Sequence, residues 1–406
     1  MLSQFTVKNF KSIRDEMTLD LQAAAISEHT DSLIIGKDDE NYLPIAVIYG
    51  PNGGGKSTVL EAINSLISLV VRPILAINPS HNASQYSNPI IPFAFSDQSI
   101  DAPTEYEMFF STDTAEYRYV MRIKKGTILF ESLDRIKFET KRKSALYQRD
   151  EQTISLKGDM AGLKLNEAIS PTLPLISYLG ITYKNHHVID DVVGWFLNGV
   201  AYLSFGMLNQ NAKLYLSSTE KMKGLILNIL QEMDIDVTDY RIETEDQNTF
   251  QVYTQHIVEG KPYELRLSDE STGTVKLFEL LPIIAFGIVK GQTIIVDELD
   301  SRLHPLLLKY LIGLFTDVNI NKKGAQLVFT SHDLSTLNNE VFRRDEIWFV
   351  AKGKEQNTKL YSLVEFKNDK GETIRKDAKY DKQYLEGKYG ADPYLQKLID
   401  WSEKIA

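Results

Sequence analysis

Apolar and polar residues alternate with a period of two over Phe5–Ser12, Thr18–Leu21, Glu105–Phe110, Tyr117–Ile123 and Thr127–Phe138. That period predicts strands. Lys124-Lys125-Gly126 separates two of these runs and reads as their turn, so an antiparallel meander is expected here. Thr249–Val258 and Tyr263–Leu267 alternate in the same way. Leu43–Tyr49, Thr293–Val296 and Gln326–Thr330 are instead short, mainly apolar runs, read as buried strands. Helical spacing holds for Ile189, Val192, Val193, Phe196, Leu197 and Val200, and again for Met222, Leu225, Ile226, Ile229, Leu230 and Met233. Each is one amphipathic helix, without the consecutive heptads of a coiled-coil arm. Glu28–Asn41 and Pro73–Pro92 are expected to be irregular.

The run at 43–49 feeds Gly50-Pro51-Asn52-Gly53-Gly54-Gly55-Lys56-Ser57-Thr58, and a helix is expected from Thr58 to Leu69. This fits the template G-x-x-x-x-G-K-[ST] in full, within a strand, loop and helix. Glycines let the backbone turn its N–H groups toward an anion, and the helix N-terminus adds partial positive charge. In such a loop Lys56 reaches the β- and γ-phosphates and the Ser57 hydroxyl ligates magnesium.

Two further strands end in chemistry. Thr293–Val296 runs into Asp297-Glu298. A phosphate loop needs a neighbouring carboxylate for magnesium, which suits Asp297. A second carboxylate polarises the attacking water, which suits Glu298. Gln326–Thr330 runs into Ser331-His332-Asp333, placing His332 on the ligand side of an open α/β sheet as a sensor of the γ-phosphate. Between them, Leu267–Thr274 opens an apolar helix from about Val275 with small hydroxyl residues and Gly273, a second anion site. One chain has little use for two such sites on one nucleotide. A dimer resolves this, each copy offering its helix N-terminus to the γ-phosphate held by the other.

Composition narrows the picture. Without cysteine there are no disulfides, thiolate zinc sites or cysteine nucleophiles, compatible with a reducing cytosol. A net charge of -10 gives no general basic surface for nucleic acid. The basic clusters Lys124-Lys125 and Lys141-Arg142-Lys143 read as solvated loops, with nucleic-acid contact as the minority reading. Val59–Val71 and Leu280–Val289 are read as buried helices, not membrane spans. His186-His187 has no further ligand at metal spacing.

These motifs are similar to those of ABC-type ATPases. GPNGGGKST, LSDESTGT, IIVDELD, SRLHP and FTSHD resemble Walker A, signature, Walker B, D-loop and switch histidine. The opening FTVKNFKSI resembles the SMC and RecF branch. The DELD…LHP run and Tyr384-Leu385-Glu386-Gly387-Lys388-Tyr389-Gly390 resemble standalone SMC-like ATPases of the abortive-infection and OLD-related defence group.

The resemblance implies that Asn52, Gly53, Gly54, Gly55, Lys56, Ser57 and Thr58 bind ATP, with Ser57 and Asp297 on Mg2+. It implies Glu298 as base, Asp300 at the dimer interface and His332 as switch, and Ser271 and Gly273 as signature contacts in trans. The signature departs from LSGGQ, which leaves Ser268 and Ser271 as alternatives for the phosphate-contacting serine. It also puts acidic Asp269 and Glu270 beside the expected phosphate. Gln98 is the candidate Q-loop residue. About 70 residues follow the His332 stretch, too few for a Toprim nuclease domain beside the strands they contain.

The expected fold is α/β: an ABC-type P-loop NTPase head with a mixed sheet, an antiparallel β subdomain and an inserted helical lobe. Expected parts are residues 1–138 and 249–365 for the head, 139–248 for the mainly helical lobe and 366–406 for the tail. The expected function is an ATPase, forming an ATP-sandwich homodimer or a higher oligomer. Phage defence is the expected setting, through control of a separately encoded nuclease or toxin, in the cytoplasm and away from membranes. The alternative is a RecF-like repair ATPase stimulated by DNA, and DNA or RNA remains a candidate partner.

Overall fold

The computed structural model describes residues 1–77, 90–165, 168–203, 216, 219–244, 250–367 and 371–391. Its centre is a six-stranded sheet in the order Val200–Leu203, Thr293–Val296, Gln326–Thr330, Ile45–Tyr49, Ile347–Lys352, Thr358–Ser362. The first five strands run parallel and the last antiparallel. Both faces are covered, which is why 45–49 reads as an unbroken apolar run. Ala46 and Ile48 enter one hydrophobic core, while Ile45, Val47 and Tyr49 enter the other.

The first core lies under a seven-stranded antiparallel sheet, ordered Thr153–Leu156, Lys143–Asp150, Thr127–Lys137, Ala115–Lys124, Thr104–Ser111, Leu2–Lys8, Met17–Asp20. Helices Lys56–Leu75, Leu175–Thr182 and His187–Asn198 fill the space between the sheets. Phe110 stacks on Trp195 there, with ring centroids 4.0 Å apart. Helices Glu220–Glu232, Thr272–Lys290 and Pro305–Thr316 build the second core on the opposite face. A three-stranded sheet, Asp239–Thr244, Phe250–Val258 and Lys261–Arg266, flanks it. The fold is thus the expected α/β head with a mixed sheet and an antiparallel β subdomain; the helices within 139–248 are divided between the two cores.

Several expectations change in detail. The first strand is Leu2–Lys8, not Phe5–Ser12. It stops because Asn9 and Lys11 take positive φ, and Asn tolerates that region better than most residues. The Asn9 amide then donates to Ser99 O, Ala102 O and Pro103 O. The helix leaving the phosphate loop passes through Pro73 and ends at Leu75. A proline in the last turn removes only one backbone bond. The meander also continues past residue 138 into Lys143–Asp150 and Thr153–Leu156. Among the described residues, two helices are long and apolar enough to cross a membrane, Lys56–Leu75 and Thr272–Lys290, and more than half of each apolar window is buried within the fold.

Candidate functional site

Three neighbouring parallel strands, 45–49, 293–296 and 326–330, carry Gly50–Thr58, Asp297-Glu298 and His332 past their C-terminal ends, while Ser271 and Gly273 lie at the start of the helix Thr272–Lys290. Register aligns Val296 with Phe329 and Ile48 with Thr330. Gly50, Asp297 and Ser331-His332 therefore leave the sheet at one edge, where open α/β sheets bind ligands.

The phosphate loop is held from outside. Gly55 caps the helix with φ 106°. A side chain there would collide with the Thr358 hydroxyl, which itself donates to Gly54 O at 3.0 Å. At Gly50 a Cβ would sit 2.7 Å from Val350 O. Both glycines are thus required by close approach of the strands Ile347–Lys352 and Thr358–Ser362 as well as by the turn. The N-terminal turn adds a second brace: Thr358 Oγ1 lies 2.8 Å from Ser12 Oγ, which in turn lies 3.3 Å from Thr58 Oγ1.

Lys56 is buried and folds back, its Nζ donating to Gly50 O at 2.9 Å and Pro51 O at 3.3 Å. Burial lowers its pKa, against an upward pull from Asp297, Glu298 and Asp300. Asn52, Gly53 and Ser57 are exposed on the loop's outer face, with Gly54 buried beneath and Thr58 half-buried.

Asp297 Oδ1 accepts from Thr330 Oγ1 at 2.5 Å, and that oxygen accepts from Glu298 N–H at 2.7 Å. Glu298 is exposed and stands at φ 50°, a region costing a non-glycine residue roughly 1–3 kcal/mol. Asp300 Oδ2 accepts the His332 backbone N–H at 3.0 Å, tying the D-loop to the switch turn. The His332 residue itself is exposed. Ser57 and Asp297 supply hydroxyl and carboxylate oxygens, the hard donors that Mg2+ takes.

The signature segment starts with a 3-10 turn at Leu267–Asp269, pinned by buried Leu267. The helix begins at Thr272, earlier than the expected Val275, because Ser271 caps it and accepts from Thr274 N–H at 3.1 Å. Glu270 is turned away, accepting from Thr254 Oγ1 at 2.6 Å and meeting His256 Nε2 at 2.7 Å. Ser268, Asp269, Ser271 and Thr272 are exposed. Gly273 packs closely on the D-loop: a Cβ would lie 3.3 Å from Arg302 O. Gln98 lies exposed in the short turn Asp97–Ile100, on the segment bound by Asn9.

Sequence reasoning missed two supports. Thr330, the last residue of the apolar run Gln326–Thr330, bonds both Asp297 and Glu298. Lys276, whose Nζ donates to three carbonyls of residues 298–301, is a buried cation within an apolar helix. That interruption of the apolar pattern was its signal.

Fold and site together define a P-loop NTPase head, a mixed α/β sheet with a complete phosphate loop at its C-terminal edge. Residues 45–338 match the family described as "AAA domain, putative AbiEii toxin, Type IV TA system", and the chain belongs to that family. None of the curated proteins matches the sequence. Among solved structures, the chain is similar to the SMC head domain from Thermotoga maritima, at 13% identity and a TM-score of 0.43. That match covers 89% of this chain and 98% of the other. It is also similar to the Smc head domain with an extended coiled coil, bound to the C-terminal domain of ScpA, from Pyrococcus furiosus. Identity there is 12%, coverage 89% and 96%, and the TM-score 0.38.

Proposed function

We propose that this chain is an ATPase that closes as a homodimer around ATP. The carrying observation is the convergence of Gly50–Thr58, Asp297-Glu298 and His332 at the ends of three adjacent parallel strands. Asn52 to Thr58 bind the phosphates, and Lys56 leaves Gly50 O and Pro51 O for the β- and γ-phosphates. Ser57 and Asp297 hold Mg2+, which neutralises charge on the phosphate oxygens when bound. Glu298 takes a proton from water as the water oxygen attacks the γ-phosphorus. The bond to the bridging oxygen of the β-phosphate breaks, giving ADP and phosphate. His332 contacts the γ-phosphate from the switch turn. Ser271 and Gly273 of the second copy complete the site; the turned-away Glu270 supports this by removing one carboxylate from a phosphate's path.

The output is control of a separately encoded effector, a nuclease or toxin, in cytoplasmic antiphage defence. Membership of a family described by a toxin–antitoxin system supports the effector. Lys125 pairs with Asp101 at 3.1 Å and Lys141 with Asp39 at 3.6 Å. These pairs support reading both basic clusters as surface rather than as a nucleic-acid groove. Phosphate release with purified protein, ATP and Mg2+ tests the proposal. Glu298→Gln is expected to slow it by about 10²- to 10⁴-fold while nucleotide binding persists. Equal rates in the two proteins would reject Glu298 as the base.

A further inference from the structure

The helix Thr272–Lys290 meets the Walker B and D-loop segment of its own chain at two points. Near its start, Gly273 approaches Arg302 O so closely that a Cβ would sit 3.3 Å away. One turn later, Lys276 extends beneath residues 298–301. Its three N–H protons serve Glu298 O at 2.9 Å, Leu299 O at 2.9 Å and Ser301 O at 2.6 Å, with Ser301 Oγ also within 3.0 Å of Nζ. Lys276 is 4% exposed, and its contact with Leu299 O is fully buried, so that carbonyl has little water to replace it. Charge-assisted bonds of this kind are the strong ones; removing the donor takes one from the buried Leu299 O, while Glu298 O keeps the Ser301 N–H at 3.1 Å.

The segment so held is unusual. Glu298 and Arg302 both take positive φ, 50° and 62°, although neither is glycine. Such backbone persists only where surrounding contacts over-determine it. Thr330 holds one end through Glu298 N–H, and Lys276 holds the carbonyl side. The helix that begins at Ser271 and the loop that bears Glu298 are therefore joined through the buried Lys276 side chain.

We propose that Lys276 is a positioning residue that sets the Glu298 carboxylate according to the placement of the helix begun by Ser271. This rests on the ATPase reading above. Docking of Ser271 on a nucleotide held by a second copy then moves the helix, and Lys276 carries that movement into the loop of its own site. The two sites of a dimer become coupled: engagement in one aligns the base in the other.

The test uses the full chain, with Lys276→Met, Lys276→Arg and wild type compared. Hydrolysis is measured per nucleotide bound, the bound fraction being counted with mant-ATP, so that misfolded protein does not enter the rate. Lys276→Met is expected to lose on the order of 10²-fold in kcat, as misplacement by about 1 Å does, with KM for ATP unchanged. Lys276→Arg is expected to recover part of that loss, since it restores a buried cationic donor. If Lys276→Met does not fold, Lys276→Gln is measured in its place and is expected to lose about tenfold in kcat, the charge being gone and a donor kept. Wild-type kcat in a folded Lys276→Met or Lys276→Gln overturns the inference alone. A change in KM with kcat untouched does the same. Absence of hydrolysis by the wild type overturns the inference together with the ATPase reading.

Discussion

Thr330 Oγ1 donates to Asp297 Oδ1 at 2.5 Å and accepts from Glu298 N–H at 2.7 Å. One hydroxyl on the switch strand thus orients the proposed magnesium carboxylate and the backbone of the proposed base. Thr330→Val keeps the shape and removes the hydroxyl. It leaves Glu298 N–H without this partner, at a cost of about 1–3 kcal/mol. We expect kcat to fall by about tenfold or more, the equivalent of 1.4 kcal/mol or more in the barrier, with ATP binding retained. Steady-state kinetics beside equilibrium mant-ATP titration separates the two, and an unchanged kcat would remove Thr330 from the site.

Lys56→Ala acts on binding. The Lys56 ammonium now rests on Gly50 O and Pro51 O, inside the loop. Without it the loop loses its one buried cation, and ATP affinity is expected to fall at least about tenfold, as for loss of a charge-assisted bond. A titration giving the wild-type Kd would contradict the phosphate-binding role of residues 50–58.

The two signature serines separate by stability and by rate. Ser271 caps a helix, so Ser271→Ala should cost about 1 kcal/mol of stability in addition to hydrolysis. Ser268 is exposed, with only a 3.4 Å contact to Asp269 Oδ1, so Ser268→Ala should leave stability near wild type. Denaturant melts and phosphate release on both variants decide the assignment. Hydrolysis lost in Ser268→Ala but kept in Ser271→Ala would reverse it.

Glu346 gives a pH signature remote from the loop. Burial pushes its carboxyl up to about 8 from an ordinary 4.5, with the Arg343 N–H bond pulling the other way. The folded chain therefore holds a proton there that the unfolded chain releases. Stability from this group is full below pH 4.5 and is lost as pH rises through 8. Thermal melts from about pH 5 to about pH 9 should decline more steeply for wild type than for Glu346→Gln. Parallel declines would show that Glu346 is not buried as the protonated acid.

Much of this site was legible because its elements follow local rules. The strand 45–49, the glycine loop and the helix after it need only period, turn chemistry and a helix start. Asp297-Glu298 and His332 were legible because an apolar strand ending in polar residues says where those residues emerge. Thr358 was not legible. It braces Gly54 and Gly55 from across the sheet, about 300 residues away in sequence. No local pattern encodes such a contact; only the pairing of 347–352 with 45–49 creates it. The first strand was misplaced for a local reason: alternation continues through Asn9 and Lys11, but their positive φ ends the strand. The strands 143–150 and 153–156 were missed because Lys141-Arg142-Lys143 masks the return of alternation.

The central claim is that Gly50–Thr58 is half of a site completed by a second copy. Light scattering of Glu298→Gln with ATP and Mg2+ tests it most directly, since slow hydrolysis lets the closed state accumulate. We predict one chain mass without nucleotide and twice that mass with ATP, the increase disappearing when Ser271→Ala is added. A protein that binds ATP and stays at the mass of one chain would contradict the account.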